Sequence, residues 1–392
     1  MRNSRTWFLY LIVIFGLQMG VVLKLGNIGD IDITVYNLVA PISIVLMVFW
    51  MSFTLNISRH FQIYFLINTL LLSGIIATGE PGIPVRILLS YILALGMVTA
   101  LNFDVIKNPY PVLFYAFVVG TFPLIVVDLA AFVGFIPLNE ASVVIPGIQK
   151  GGIGIPGGAF GTHGIVASTG FLSGLGLLSR YQLGGYQRKL IIVCLPVLLL
   201  VITASQSRSS MIAVSGGTAV FILYYFDKNF GRGLTVGVAT VVFSLIAALG
   251  VLLARQRLQT AFGRLSQLHA AYDVFQSNWL FGIGWGNFFP EYYTHVIHFT
   301  PANYFISGGV VVGVLFLIVL SYPLVISIRS VINIRNHYAV IVLSAMYVAV
   351  VIELMFYKST PNVHLLVIGG LICNSTSNLT RLPSSESSAN GS

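Results

Sequence analysis

Three arginines, Arg255, Arg257 and Arg264, fall within ten residues of one another in a chain of 392 residues that has only 20 lysines and arginines. A guanidinium is planar, permanently charged and bidentate, so such a set asks for a reason beyond solubility. A fourth arginine, Arg208, lies in the polar run T-A-S-Q-S-R-S-S over 203–210 that follows an apolar stretch. Asp128 and Glu353 sit inside otherwise apolar stretches, where an ionisable side chain is costly and marks a functional position by default. An interhelical hydrogen bond is the structural alternative for both. His163, His295 and His298 offer imidazoles near polar or glycine-rich segments. There is no HExxH, no Walker loop and no acidic cluster, so neither a protein-held metal nor an ATP site is expected, and no cofactor. GIGWGNF (282–288) contains GxGxG but follows no βαβ strand, which argues against a dinucleotide site. A glycine turn whose backbone N–H groups face an anion is the better expectation.

The elements that must position these residues are membrane helices. The chain is 57% apolar and 8% charged, with mean hydropathy +0.92. A soluble domain carries roughly 25% charged residues, so lipid is the main solvent here. The net charge of +9 is scattered between apolar runs, which suits loop anchoring and anionic lipid rather than nucleic acid. Cys194 and Cys373 lie in apolar segments without CxxC spacing and read as small core residues. A spanning helix needs roughly 20 apolar residues. Windows of that length predict an all-α polytopic bundle of about twelve spans, near 7–25, 36–55, 61–78, 84–101, 112–135, 162–178, 189–205, 210–226, 234–253, 301–328, 338–357 and 361–374. The start, MRNSR, precedes a long apolar run without a small-x-small cleavage site, which predicts an uncleaved first helix.

With the N-terminus inside, twelve lysines and arginines fall on the cytoplasmic side and eight outside, in line with the positive-inside rule, and both termini are cytoplasmic. The arginine cluster then lies outside, against the insertion bias. Two outer loops stand out, at 136–161 and 254–300, the first glycine-rich. In the second, Leu258, Phe262, Leu265, Leu268, Tyr272, Phe275 and Trp279 recur at steps of three and four, predicting an amphipathic helix on the outer membrane surface. Arg257 and Arg264 lie on its other face. Residues 1–374 form a single integral-membrane domain, and 375–392 a Ser-rich, disordered tail.

The run R-L-S-Q-L-H-A-A-Y-D-V-F-Q-S-N-W-L-F-G-I-G-W-G-N-F (264–288), followed by T-P-A-N-Y-F (300–305), resembles the O-antigen ligase and polymerase family of bacterial envelope enzymes. The Ser-Arg element at 203–210 is a second, weaker match. The resemblance implies glycan transfer at the outer face of a bacterial inner membrane. The donor would be a saccharide on undecaprenyl pyrophosphate, and the acceptor a sugar hydroxyl or lipid A core. Membrane lipids and other polysaccharide assembly proteins would be its partners. By the same resemblance Arg208 and Arg264 would bind the pyrophosphate, with Arg257 beside them, because a pyrophosphate leaving group needs its developing charge stabilised. His298 would be the general base and His295 its neighbour, Asn303 would orient a sugar hydroxyl or cap the helix that follows, and Asp128 and Glu353 would pair with arginine or contact sugar hydroxyls. The sequence departs from the family pattern at Ala302, where histidine is expected before Asn303. The region around His163 likewise lacks an Asn-Pro-Asn element. A polymerase is the leading expectation, a ligase the sister reading, and a transporter or flippase for the lipid-linked sugar the reading from another class. Evident inverted repeats with broken helices would favour the last, and none is visible in the sequence.

Overall fold

The computed structural model describes residues 14, 17–18, 24–28, 31–34, 41, 58–78, 110–126, 144–145, 148–149, 160–180, 183–204, 208–230, 258–285, 299–333, 338–356 and 363–375. This part is helical apart from two short antiparallel hairpins. Strand β1 (Lys24–Ile28) pairs with β2 (Ile31–Thr34) in a register that sets Ile28 opposite Ile31. The expected first span therefore runs two residues into a strand. Strands β3 (Val144–Ile145) and β4 (Ile148–Gln149) flank Pro146–Gly147, the residue pair a tight turn favours.

Nine helices are described, eight on expected apolar windows and α6 on the expected amphipathic stretch: α1 (Arg59–Thr78), α2 (Tyr110–Gly120), α3 (Phe160–Arg180), α4 (Gly185–Ala204), α5 (Arg208–Phe230), α6 (Leu258–Ser277), α7 (Thr300–Asn333), α8 (Tyr338–Phe356) and α9 (Val363–Ser375). Among the described residues, α1, α4, α7 and α8 are long and apolar enough to cross a membrane. Large apolar side chains are exposed along one side of three of these, at Phe65, Leu66 and Leu70 on α1, Ile192 and Val193 on α4, and Val311 and Ile328 on α7. A soluble monomer rarely exposes such contiguous surface, whereas a lipid-facing perimeter consists of it. The protein is an α-helical membrane protein.

Helices α3 and α8 form the centre. Five glycines in α3 would each weaken a free helix by about 1 kcal/mol relative to alanine. Here four of them admit neighbours: Gly164 faces Ser210 and Glu353, Gly170 faces Thr121, Gly174 faces Leu195 and Gly176 faces Val342. Small residues at helix interfaces are the usual means of close packing where no hydrophobic effect separates helix from lipid. Several buried hydroxyls are satisfied within their own helices, as Ser168 Oγ donates to Gly164 O (2.6 Å) and Ser344 Oγ to Val340 O (2.5 Å). At the opposite end of the bundle Ser58 Oγ accepts from Phe61 N (2.9 Å), capping α1, and donates to Cys373 O (2.7 Å) at the end of α9. Pro323 inside α7 has no N–H for the carbonyl of Val319, and Tyr347 Oη on α8 donates to that oxygen instead (3.0 Å).

Helix α7 is not one straight span. Gly309 takes φ 69°, ψ −170°, a conformation open essentially to glycine alone. The helix bends back sharply there, so that Tyr304 stacks on Phe316 with ring centroids 3.7 Å apart. Twelve residues along a straight helix would separate them by about 18 Å. The limb from 310 to 333 still exceeds the roughly 20 residues a span requires. Changing Gly309 to Ala should cost about 1–3 kcal/mol from backbone strain alone, more with the overlap its Cβ would make on the Leu280 carbonyl. Thermal unfolding in detergent would show this against Gly185→Ala, where a Cβ meets nothing within 4 Å and no loss is expected.

Candidate functional site

At one end of the bundle the second turn of α3, the first turn of α5 and the last turn of α8 converge on Glu353. Its side chain is 0% exposed. Ser210 and Ser209 are its hydroxyl neighbours, yet neither carboxylate oxygen closes a hydrogen bond of standard geometry with a described group. A Cβ on Gly164 would overlap both Ser210 Oγ and Glu353 Oε1, so glycine is what lets α3 come this close. Glu353 lies, as expected, inside an apolar helix long enough to cross a membrane.

Arg208 is the first residue of α5, one and two positions ahead of those serines, and Arg264 lies in the second turn of α6. The side chains of both, and of His163 at the start of α3, lie outside the described residues, as do Arg257, His295, His298 and Asp128 altogether. Asn303 is half-buried at the fourth residue of α7 and its backbone N–H donates to Phe299 O (3.3 Å), so it stands inside the helix rather than capping it. Among the described residues no three His, Cys, Asp or Glu side chains cluster as metal ligands.

Helix α6 forms where the 3.6-residue period placed it, but the stripe is divided. The side packed on α7 is Ala271 and Val274, against Ile306. Leu268 and Tyr272 are 39% and 55% exposed. They line, with Phe275, an apolar groove of about 420 Å³ whose other wall includes Phe299, Ala302 and Phe305 on and before the first limb of α7, and Leu317 and Met355 beyond it. This volume is within the roughly 300–1,000 Å³ of small-molecule sites. Ala302, the position of the expected histidine, therefore faces an apolar wall. Met355 and Glu353 are two residues apart on α8, about 200° around the helix, so groove and carboxylate lie at one level on opposite faces.

The glycine turn is a correction. The N–H groups of Ile283 and Gly284 donate to Ile306 O (2.9 Å) and Ser307 O (3.0 Å), and Val310 N–H donates to Trp279 O (2.7 Å). The turn thus takes up the carbonyls and the N–H that the break at Gly309 releases, and those two N–H groups do not face an anion. Gly282, at φ 71°, is pressed so closely on Ile306 O and Ser307 that a Cβ would overlap them.

One buried polar constellation escaped the sequence reading. His364 Nε2 and Gln18 Oε1 are 2.8 Å apart. Because the amide oxygen can only accept, the imidazole donates there. Gln18 Nε2 donates in turn to Thr169 Oγ1 (3.2 Å) and Phe117 O (3.4 Å). The available signal was a neutral polar residue inside an apolar window, at Gln18 and at His364, whereas only the acids drew notice there. All three side chains are 0% exposed. Removing one partner leaves a buried group unsatisfied, so His364→Ala should lower stability by about 1–3 kcal/mol, read as a fall in unfolding temperature that His364→Gln partly restores. No family model matches the chain, and no curated protein matches it either.

Proposed function

We propose that the protein is a bacterial inner-membrane enzyme of about twelve spans, both termini cytoplasmic, that polymerises polyprenyl-pyrophosphate-linked glycan units at the outer face of the membrane. The observation that carries this reading is the company the groove keeps. Helix α6, which bears Arg264, forms one wall of an apolar groove, and at the same level of α8 Glu353 meets the first turn of α5, which Arg208 opens. A lipid-linked donor needs such a division: an apolar trough for its hydrocarbon, where each buried CH₂ contributes about 0.8 kcal/mol, and fixed cations for its headgroup. The described helices fall on eight of the twelve expected windows, and their alternation brings the starts of α3 and α5 to the end where α8 finishes. The remaining windows, near 7–25, 36–55, 84–101 and 234–253, lie almost wholly outside the described residues.

In the proposed reaction an acceptor hydroxyl oxygen attacks the anomeric carbon of the donor sugar. The bond from that carbon to the pyrophosphate oxygen breaks, and polyprenyl pyrophosphate departs with the electron pair. The hydroxyl proton passes to a base, for which His298 is the proposed residue and His295 the neighbour. Arg208 and Arg264, with Arg257 nearby, stabilise the charge on the leaving pyrophosphate, and Asn303 and Asp128 contact substrate hydroxyls. No metal or cofactor enters the scheme.

Reconstitution with undecaprenyl-pyrophosphate-linked repeat units tests the reading. Wild type should give a ladder of products, and Arg208→Ala or Arg264→Ala should each reduce turnover by about 10²–10³-fold, the cost of losing one preorganised charge-stabilising donor. Transfer only when lipid A core is added would identify a ligase. Transfer to neither acceptor would sink the enzyme reading and leave transport of the lipid-linked sugar.

A further inference from the structure

We infer that Glu353 is a positioning residue for Arg208, an assignment that rests on the reading above. Its carboxylate holds the first turn of α5 against α3 and α8 and so fixes where that arginine stands. An ionisable group inside a membrane bundle is retained only with compensation nearby, in charge or in hydrogen bonds. Glu353 is wholly enclosed, and no described group gives either oxygen a hydrogen bond of standard geometry. Its polar neighbours are Ser210 and Ser209, the residues that directly follow Arg208 in the first turn of α5.

The surroundings are built around this contact. Glycine at 164 leaves room for the carboxylate and the Ser210 hydroxyl together. One turn and two turns further along α5, at Ala213 and Gly216–Gly217, small residues keep α5 tight on its neighbours: Gly216 faces Ile352 and Val348, and Gly217 faces Leu172 and the Ala345 carbonyl. Because α5 is clamped along its length by packing, the hydroxyl–carboxylate contact is left to set its first turn. The N-terminal end of a helix also favours a negative charge, which places the carboxylate where it supports that turn. A carboxylate here has two effects on the residue that opens the helix. It fixes the backbone from which Arg208 departs, and it sets an acidic group beside the turn that carries this arginine.

A purely structural carboxylate and one acting through Arg208 give different results in a double-variant cycle on ligand binding. The probe is fluorescent farnesyl pyrophosphate, titrated onto the full-length protein in nanodiscs. Arg208→Ala and Glu353→Gln should each weaken binding about tenfold, and the double variant should be no weaker than either single, as expected for two residues in one unit. Glu353→Gln keeps shape and hydrogen-bonding capacity, so its unfolding temperature should stay near that of wild type, and Glu353→Asp should recover part of the affinity. If Glu353→Gln fails to fold, the Ser209→Ala/Ser210→Ala variant carries the same test, since it cuts the link between carboxylate and turn. Losses that add to about a hundredfold in the double variant, or full affinity in Glu353→Gln while Arg208→Ala is weakened, would overturn the positioning role and leave the enzyme reading standing. Full affinity in Arg208→Ala would remove both.

Discussion

The constraint on which the rest depends is that a backbone group inside a membrane cannot turn to water for its hydrogen bond. At the two interruptions of α7, Pro323 and Gly309, groups freed from the helix can be followed to a partner. Pro323 leaves the Val319 carbonyl open, and the Tyr347 hydroxyl from α8 fills it. Gly309 breaks the ladder between Ile306 and Val310, and both ends are answered by the segment from Trp279 to Gly284. This segment is therefore as much a part of the helix as the residues on either side of it. The bend survives because a turn outside the helix was shaped, with left-handed glycines at 282 and 284, to supply what the helix lost.

From this follows the division of labour at the candidate site. The two turn N–H groups committed to repairing α7 are not available to hold an anion, and in the proposed function that task belongs to Arg208 on α5 and Arg264 on α6. The bend also makes the groove. A straight α7 would lay Phe299, Ala302 and Phe305 far from Leu317, whereas the folded limb sets them together against α6. Backbone repair, groove and site are then one arrangement: the glycines that permit the bend also decide which surface α6 meets.

The sequence carried much of this, and the physical reason for each gap can be named. Apolar windows located the described spanning helices because hydrophobic length is a property of consecutive residues. The period in 258–279 located α6, yet not its packed side: alanines at 270 and 271 count little as hydrophobes but are what a close helix contact selects, so the larger Leu268 and Tyr272 were left to line a groove. The bend at Gly309 was not legible in the apolar window at 301–328, because a bend set by φ at one residue leaves no trace in composition. Glu353 was legible as an intramembrane acid, but its neighbours Ser209, Ser210 and Gly164 come from two other helices. Gln18 and His364 stand out as polar residues in apolar windows, but their meeting with Thr169 was not legible for the same reason, being the work of tertiary packing alone.

Ala302 shows how the fold changes the meaning of a sequence departure. Read along the chain, alanine before Asn303 looks like the loss of a base. In the folded protein residue 302 belongs to the wall of an apolar groove, among Phe299, Phe305 and Leu317. An imidazole there would have its polar atoms among hydrocarbon, with the cost that attends any unpaired buried polar group. A small apolar side chain suits that wall, and in the proposed function proton transfer is served from elsewhere, beginning with His295 and His298. The small residue at 302 and the groove thus belong to one geometry, the first limb of α7 folded back so that this side of it lines the apolar groove.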